Sequence, residues 1–557
     1  MKKIYLLLFF FSIHHYSIAQ FSNDTTNNSV VWDSSGTEQL TPLIATTDAG
    51  NTYISWFDSH TSPYELRMQF LDANGNKLWG PQGIVVSNFP QNTAVFRYDL
   101  KVDHENNAIV AFQDIRFTDL KVVAYKVDQS GNLLWGSNGV ELADSTAQGL
   151  SPVIGITGAN DCIIAWNADV GASKWISYQK ISSAGNVLWS QRVFDSTNVN
   201  KYSRAQLVAY GADDFIMQYV QEIGNFPGIT STLFAQHFDM NGDPVWTTPV
   251  QVSTKTIPFF VFPKIVSDGN NGFFIVFDTS NPVNSSFIDV YAQHVDSSGN
   301  LWSADGIQVA NSSTEHKSTG GFCYSEANNE LYVVMQILDA GQSNSGVGIQ
   351  GLDINGNALF GANGIQLKNP DPIYFNPHAL VDAGNGLIAI FSYGSFGAQH
   401  LSSIKTDYTG SLMWGYEPII CNYNSNKDDL SAGTFINDQT VIVWDDDRID
   451  YGVYMQNLKG DGSFGIITNI NEIRNVNQIA LYPNPSQSTY VSFMSDKNEQ
   501  VIIVIRNLEG KEYSRKIISA EKGLNEVNLQ KAVLGSGIYI VSVYTDNTTN
   551  HVKWVKR

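Results

Sequence analysis

The densest cluster of groups able to do chemistry in this sequence is Trp444-Asp445-Asp446-Asp447-Arg448-Ile449-Asp450-Tyr451. Its four carboxylates can hold a cation, or accept hydrogen bonds from sugar hydroxyls beside an aromatic platform. Aspartates recur just past other apolar runs, at Asp58, Asp114 and Asp278, and Asp114 is followed by Arg116 as Asp446 is by Arg448. Trp444, Asp445, Asp446, Asp447, Arg448, Asp450, Asp114, Arg116 and Asp58 are therefore the candidate ligand-binding residues, with His60, Asp119 and Glu222 on equivalent loops. The plainer alternative is that these aspartates cap their loops or pair with the arginines. No catalytic set is legible: the chain has no His-Glu-x-x-His, no Gly-x-Ser-x-Gly and no phosphate-cradling glycine loop. Paired carboxylates for glycoside cleavage would have to be assembled from distant segments, at a separation that sequence does not give.

What must position these residues is a repeat. Asp72-Ala-Asn-Gly-Asn-Lys-Leu-Trp79 returns as Asp128-Gln-Ser-Gly-Asn-Leu-Leu-Trp135 and Asp353-Ile-Asn-Gly-Asn-Ala-Leu-Phe360. Looser copies end at Trp189, Trp246, Trp302, Trp414 and Phe464, so the period is about 55 residues. The alternating oxygens of Asp72, Asn74 and Asn76 suit calcium, but no carboxylate closes the loop, and Asn-Gly and Ser-Gly are hairpin signals. The turn reading is preferred, no cofactor is required, and calcium stays as the alternative. The phrase also resembles the Asp-box of sialidase propellers, with its spacing wider by one residue on each side. That box is a structural turn, so the likeness argues for blades and not for hydrolysis. A glutamine at 69, 179, 236, 293, 350 and 456, three residues before the turn position, is expected to bond neighbouring backbone.

Each unit reads as four short strands, which is the content of one propeller blade. The Trp32-x-x-x-Gly36 spacing matches Trp79/Gly83, so an orphan outer strand stands at the N-terminus, while the last unit lacks one. The expected fold is all-β: an eight-bladed β-propeller closed by that strand, with a seven-bladed ring or two smaller propellers as alternatives, followed by a small immunoglobulin-like β-sandwich.

The ends carry addresses. Met1-Lys-Lys, the apolar run Ile4 to Phe11, and Ser17 and Ala19 form a secretory signal cleaved after Ala19. After a polar link, Leu481-Tyr482-Pro483-Asn484-Pro485, the hairpin Asn507-Leu-Glu-Gly510-Lys511 and the strand Gly537-Ile-Tyr539-Ile-Val541 resemble the type A sorting domain of the type IX secretion system of Bacteroidota. The resemblance covers about 80 residues. It implies an exported cargo, the type IX machinery as a partner, and a secreted or outer-membrane surface location. The expected organisation is a signal peptide at 1–19, a leader at 20–29, the propeller at 30–466, a linker at 467–478 and the sorting domain at 479–557.

With 33 basic against 53 acidic residues the net charge is −20, which disfavours nucleic acid and anionic lipid as partners. No later apolar stretch is long enough to be a membrane span. Cys162, Cys323 and Cys421 are isolated and read as buried thiols. The function expected is a secreted or cell-surface binding protein for an extracellular glycan or protein. The alternatives are an extracellular glycosidase or lyase on the same scaffold, and a structural adhesin component.

Overall fold

The structure is a computed structural model. It describes residues 20–557 except 61–62, 92–96, 117–118, 143–146, 172, 212, 226, 260, 282–284, 313, 466–478, 483, 485, 496, 530–533 and 546–548. The signal peptide and linker expected from sequence lie outside the described residues. The chain divides into two compact units, Met1–Ile466 and Ile467–Arg557.

The first unit is an eight-bladed propeller. Its described residues form eight four-stranded antiparallel sheets, seven of them consecutive in the chain. The first blade is built from Gln39–Thr46, Thr52–Asp58, Tyr64–Leu71 and Ile84–Gln91, from the axis outward. The last is built from Lys427–Ala432, Gln439–Asp446 and Gly452–Lys459 and is completed by Ser29–Trp32 from the N-terminus. Middle strands such as Thr52–Asp58 and Ala108–Arg116 are buried on both faces, because each blade packs against a neighbour on either side. That is why they read as unbroken apolar runs.

The repeated phrase is the joint between blades. Asp72 Oδ1 accepts the Asn74 and Asn76 N–H groups, and Oδ2 accepts Asn76 Nδ2, so the carboxylate is used up in folding its own turn. Such a turn places a glycine at positive φ. The closing indole then reaches the next blade's turn: Trp79 Nε1 donates to the Gln129 carbonyl at 3.0 Å, and Trp135 Nε1 to that of Ser183 at 3.1 Å. Trp189, Trp246, Trp302 and Trp414 repeat the contact with Met240, Ser297, Ile354 and Gly460. The recurrent glutamine locks the same turn from behind: Gln69 Nε2 donates to the Gly80 carbonyl, and its Oε1 accepts the Trp79 N–H.

Closure follows the expected strand exchange but not the expected residue. Ser29–Trp32 pairs antiparallel with Gly452–Lys459, with Ser29 opposite Met455. Trp32 is a strand residue here, and its indole bonds Asp58 at 2.9 Å. The closing aromatic is supplied by Phe21, whose ring lies against Gly75 of the first blade and whose N–H donates to the Asn74 carbonyl at 3.4 Å. Gln456 donates to the Ser22 carbonyl as Gln69 does to Gly80. Residues 20–29, expected to lead into the ring, thus take part in it.

The described residues of the second unit form a seven-strand sandwich. One sheet holds Ala480–Tyr482, Tyr490–Ser495 and Gly523–Asn528, and the other Glu512–Ala520, Glu499–Asn507, Gly537–Tyr544 and Thr549–Lys556. Phe493, Ile503, Val541 and Trp554 fill its core. Asn484 ties the opening motif to the last strand, accepting the Val555 N–H and donating to the Lys553 carbonyl. Gly510 takes φ +85° at its hairpin, and Tyr539 packs near Trp554 and donates to the Gly535 carbonyl. Gly537 opens its strand, Tyr482 lies in the first, and Pro483 and Pro485 fall outside the described residues.

Gly185 tests the joint. Its φ is +88°, and an added Cβ would sit 2.6 Å from Trp135 Cδ1. Gly185→Ala should lower stability by about 2 kcal/mol, from positive φ and displacement of the indole together. Denaturant titration reads this, and a loss below about 0.5 kcal/mol would contradict the joint's role.

Candidate functional site

The innermost strands of all eight blades face a common axis, and a cavity of about 810 Å³ lies there. An adjoining cavity of about 660 Å³ extends it toward the sixth and seventh blades. The two share Arg97, Phe262 and Lys264 as lining residues.

A recurrent β-bulge interrupts most of the innermost strands that line the cavity. The pairing of first and second strands shifts between Leu40 and Leu43, Leu150 and Val153, Ser203 and Gln206, Pro377 and Ala379, and Asp428 and Ser431. Within four of these bulges a non-glycine residue takes positive φ: Thr41 (53°), Ser151 (51°), Arg204 (56°) and Asp429 (44°). Such a conformation costs on the order of 1 kcal/mol and persists only when its surroundings impose it. Here the preceding blade does so. Thr41 N–H donates to Asp445 Oδ2 at 3.0 Å, Ser151 N–H to Gln113 Oε1 at 3.3 Å, and Arg204 N–H to Asn167 Oδ1 at 2.8 Å. Between the fifth and sixth blades, the Thr319 N–H and hydroxyl both donate to Asp278 Oδ1, at 3.0 and 2.6 Å.

The charged groups in the cavity come from several blades. Arg97 and Lys101 belong to the second blade, Lys264 to the fifth, and Asp428 and Asp429 to the eighth. The Arg97 guanidinium lies over the Phe262 ring at 4.1 Å, across the axis. Burial and then the charge of Asp428 raise the Asp429 carboxyl above its ordinary value, burial and then Asp429 raise Asp445, and burial and then Asp447 raise Asp428. Burial and then Lys264 push His378 down to about 4, so its imidazole is neutral near pH 7, and Nε2 contacts Ser392 Oγ at 2.9 Å.

The residues singled out in the sequence lie elsewhere. None of the nine lines these cavities. Trp444 is fully buried and presents no platform; its indole donates to Asp446 Oδ2 at 2.9 Å. Asp446 also accepts from Ser425 Oγ at 2.6 Å and Arg448 Nη2 at 2.7 Å, and lies 3.6 Å from Lys427 Nζ. Burial opposes its ionisation, but Arg448 and Lys427 outweigh burial and hold the carboxyl below its ordinary value. Asp114 is held by Arg116 at 2.8 Å and Ser87 at 3.2 Å, and Asp58 by Trp32 at 2.9 Å and Arg67 at 3.3 Å. Each of these three aspartates accepts a hydrogen bond from the outer strand of the preceding blade, so the arrangement staples blade to blade. Asp445 clasps Thr41, Asp447 accepts both amides of Asn426, and Asp450 accepts the Gly36 N–H.

Among the described residues no group of three or more His, Cys, Asp or Glu side chains is arranged to hold a metal ion. The three cysteines are free. The cavity residues carried one sequence signal: a proline at 42, 152, 263 and 377, inside or at the start of an innermost strand, marks a bulge or a break in pairing.

Residues 480–557 match the family described as secretion system C-terminal sorting domain. The second unit is therefore a type IX sorting domain, and the chain is exported to the cell surface or secreted. Among the described residues no helix is long and apolar enough to cross a membrane. No curated protein matches the chain. Among solved structures, a PL25 ulvan lyase is 11% identical over 77% of this chain and 95% of its own, with a TM-score of 0.41. An α-L-arabinanase of Penicillium chrysogenum complexed with arabinobiose is 11% identical over 60% and 97%, with a TM-score of 0.34. A protein of unknown function from Dyadobacter fermentans is 9% identical over 56% and 94%, with a TM-score of 0.34. At these identities and scores the likenesses bear on neither substrate nor mechanism.

The clasp at Asp278 predicts a pH dependence. Burial raises this carboxyl from 3.8 to about 6, against the two bonds from Thr319. The folded state therefore holds the proton more tightly than the unfolded chain. The contribution is full below the unfolded value and is lost as pH rises through about 6. Asp278→Asn should remove that component, on the order of 2 kcal/mol between pH about 4 and about 7. Thermal melts of both proteins across that range measure it, and parallel pH profiles would contradict the assignment.

Proposed function

We propose that the protein is an extracellular binding propeller that holds a glycan in its axial cavity, and that the sorting domain delivers this ring to the cell exterior. The observation that carries the reading is the axial cavity itself, into which bulged innermost strands of several blades bring polar residues such as Thr41, Ser151, Arg204 and Asp429 at the cost of backbone strain. A ring serving only as a rigid spacer needs no such strain. Carbohydrate suits the lining, because hydroxyls pair with carboxyl and amide groups while the sugar's C–H face packs on an aromatic such as Phe262.

One observation favours a second reading, a carbohydrate-active enzyme in the same cavity. Burial and then the charge of Asp428 raise the proton affinity of Asp429, which lines the cavity, although Arg97 opposes this. A carboxyl that holds its proton more tightly than usual is what a general-acid role requires.

A glycan array probed with the protein from residue 20 onward tests the first reading. Asp428→Asn with Asp429→Asn should weaken any hit by at least about tenfold, as expected for lost charge-assisted hydrogen bonds. Binding that ignores these substitutions would exclude the cavity. Incubating each hit with the protein and assaying for new reducing ends or unsaturated products separates the readings: turnover favours the enzyme, and tight binding without turnover favours the receptor.

A further inference from the structure

We propose that the cavity recognises an acidic sugar, its carboxylate or sulfate ester held between Arg97 and Lys264 with the ring lying on Phe262. This rests on the glycan-binding reading above and adds the class of ligand.

Several buried cations elsewhere in the propeller are paired with carboxylates. Arg116 pairs with Asp114 at 2.8 Å, Arg204 with Glu222 at 2.8 Å, Lys126 with Asp103 at 2.7 Å and Lys180 with Asp213 at 2.6 Å. Each is neutralised by a carboxylate, as the cost of burying a lone charge demands. Arg97 and Lys264 differ: their side chains stand open to the cavity, and among the described residues neither makes an ion pair or a hydrogen bond. They stand in a chain with 20 more acidic than basic groups, where pairing partners are plentiful.

The unpaired cations also face one another. Burial, and then the charges of Arg97 and Lys101, lower the proton affinity of the Lys264 ammonium, the signature of like charges held together in a cavity walled by protein. Asp429 relieves Arg97 in part, and Asp99 lies 3.7 Å from Lys101. Nothing comparable serves Lys264. His378, facing it from the seventh blade, is neutral near pH 7. An anionic group entering between Arg97 and Lys264 would complete both and relieve their repulsion. The planar fork of Arg97 matches a carboxylate or sulfate, and Lys264 supplies a point charge from the other side.

Phe262 fixes the geometry. Its ring is 37% exposed and lies under Arg97 at 4.1 Å and beside Arg204 at 6.0 Å. Arg204 is already committed to Glu222 and to the Phe259 and Val261 carbonyls, which holds the segment that carries Phe262. The aromatic platform is thus rigid, and the guanidinium above it is the free one.

Calorimetry on the protein from residue 20 onward tests this with three probes: tetragalacturonate, a sulfated carrageenan tetrasaccharide and neutral cellotetraose. An acidic probe should bind at least about tenfold more tightly than the neutral one and weaken as salt rises from about 50 to about 500 mM. The two acidic probes distinguish carboxylate from sulfate. Arg97→Gln and Lys264→Met should each remove at least about tenfold of the acidic affinity. Lys255→Gln, the same charge change on an outer strand, should leave it unchanged. Neutral binding with no preference for acid, or acidic binding indifferent to Arg97 and Lys264, overturns the proposal and leaves glycan binding standing. Failure of all three probes overturns both.

Discussion

The interaction on which the propeller depends is the reach of one indole into the turn of the next blade. A four-stranded antiparallel sheet buries neither of its faces by itself, so each blade is stable only when stacked on two others. The closing tryptophan does three things at that interface. It covers apolar surface, it donates a hydrogen bond to the neighbour's turn carbonyl, and it leaves room in that turn only for glycine. At the joint between the sixth and seventh blades Phe360 takes its place, beside Ile365 and Gly410. At the closing joint Phe21 does, carried by a segment more than 400 residues away in sequence from its partner strand. A ring made of such joints tolerates loop variation freely, since the contacts lie on the turn face and in the blade interiors.

The axis shows the opposite logic. There the blades depart from regularity, with bulges in the innermost strands and clasps from the preceding blade that stabilise residues in a left-handed conformation. The clasping residue follows a large aromatic of the second strand: Asp445 follows Trp444, Asn167 follows Trp166 and Asp278 follows Phe277. Backbone strain is concentrated where side chains must be aimed. The outer rim supplies the rigidity that lets the axis carry it.

Much of the scaffold was legible in the sequence, because a joint used in every blade leaves a periodic trace. The Asp-x-Asn-Gly-Asn-x-x-Trp phrase, the glutamine before it and the N-terminal outer strand all follow from repetition, and the sorting domain followed from its own motifs. The cavity was hidden for the same reason. Arg97 stands on the second blade and Phe262 and Lys264 on the fifth, and no residue type recurs at their places in the other blades, so periodicity is silent about them. The acidic run at 445–450 misled because sequence reports charge and not burial. Asp446 lies beneath the outer strand of the preceding blade, where Arg448 and Lys427 neutralise it. Trp32 misled by spacing: it matched the phrase, whereas Phe21, which matches nothing, fills the joint.

A ring closed by its own N-terminal strand must open as a whole, and hydrogen exchange tests this most directly. The amides of Val30 to Trp32 should exchange as slowly as those of Val441 to Trp444 in the same blade, because freeing the strand requires opening the closing joint and with it the ring. Rapid exchange at Val30 to Trp32, with Val441 to Trp444 still protected, would mean that the N-terminal segment is an appendage, and it would contradict the closed propeller described here.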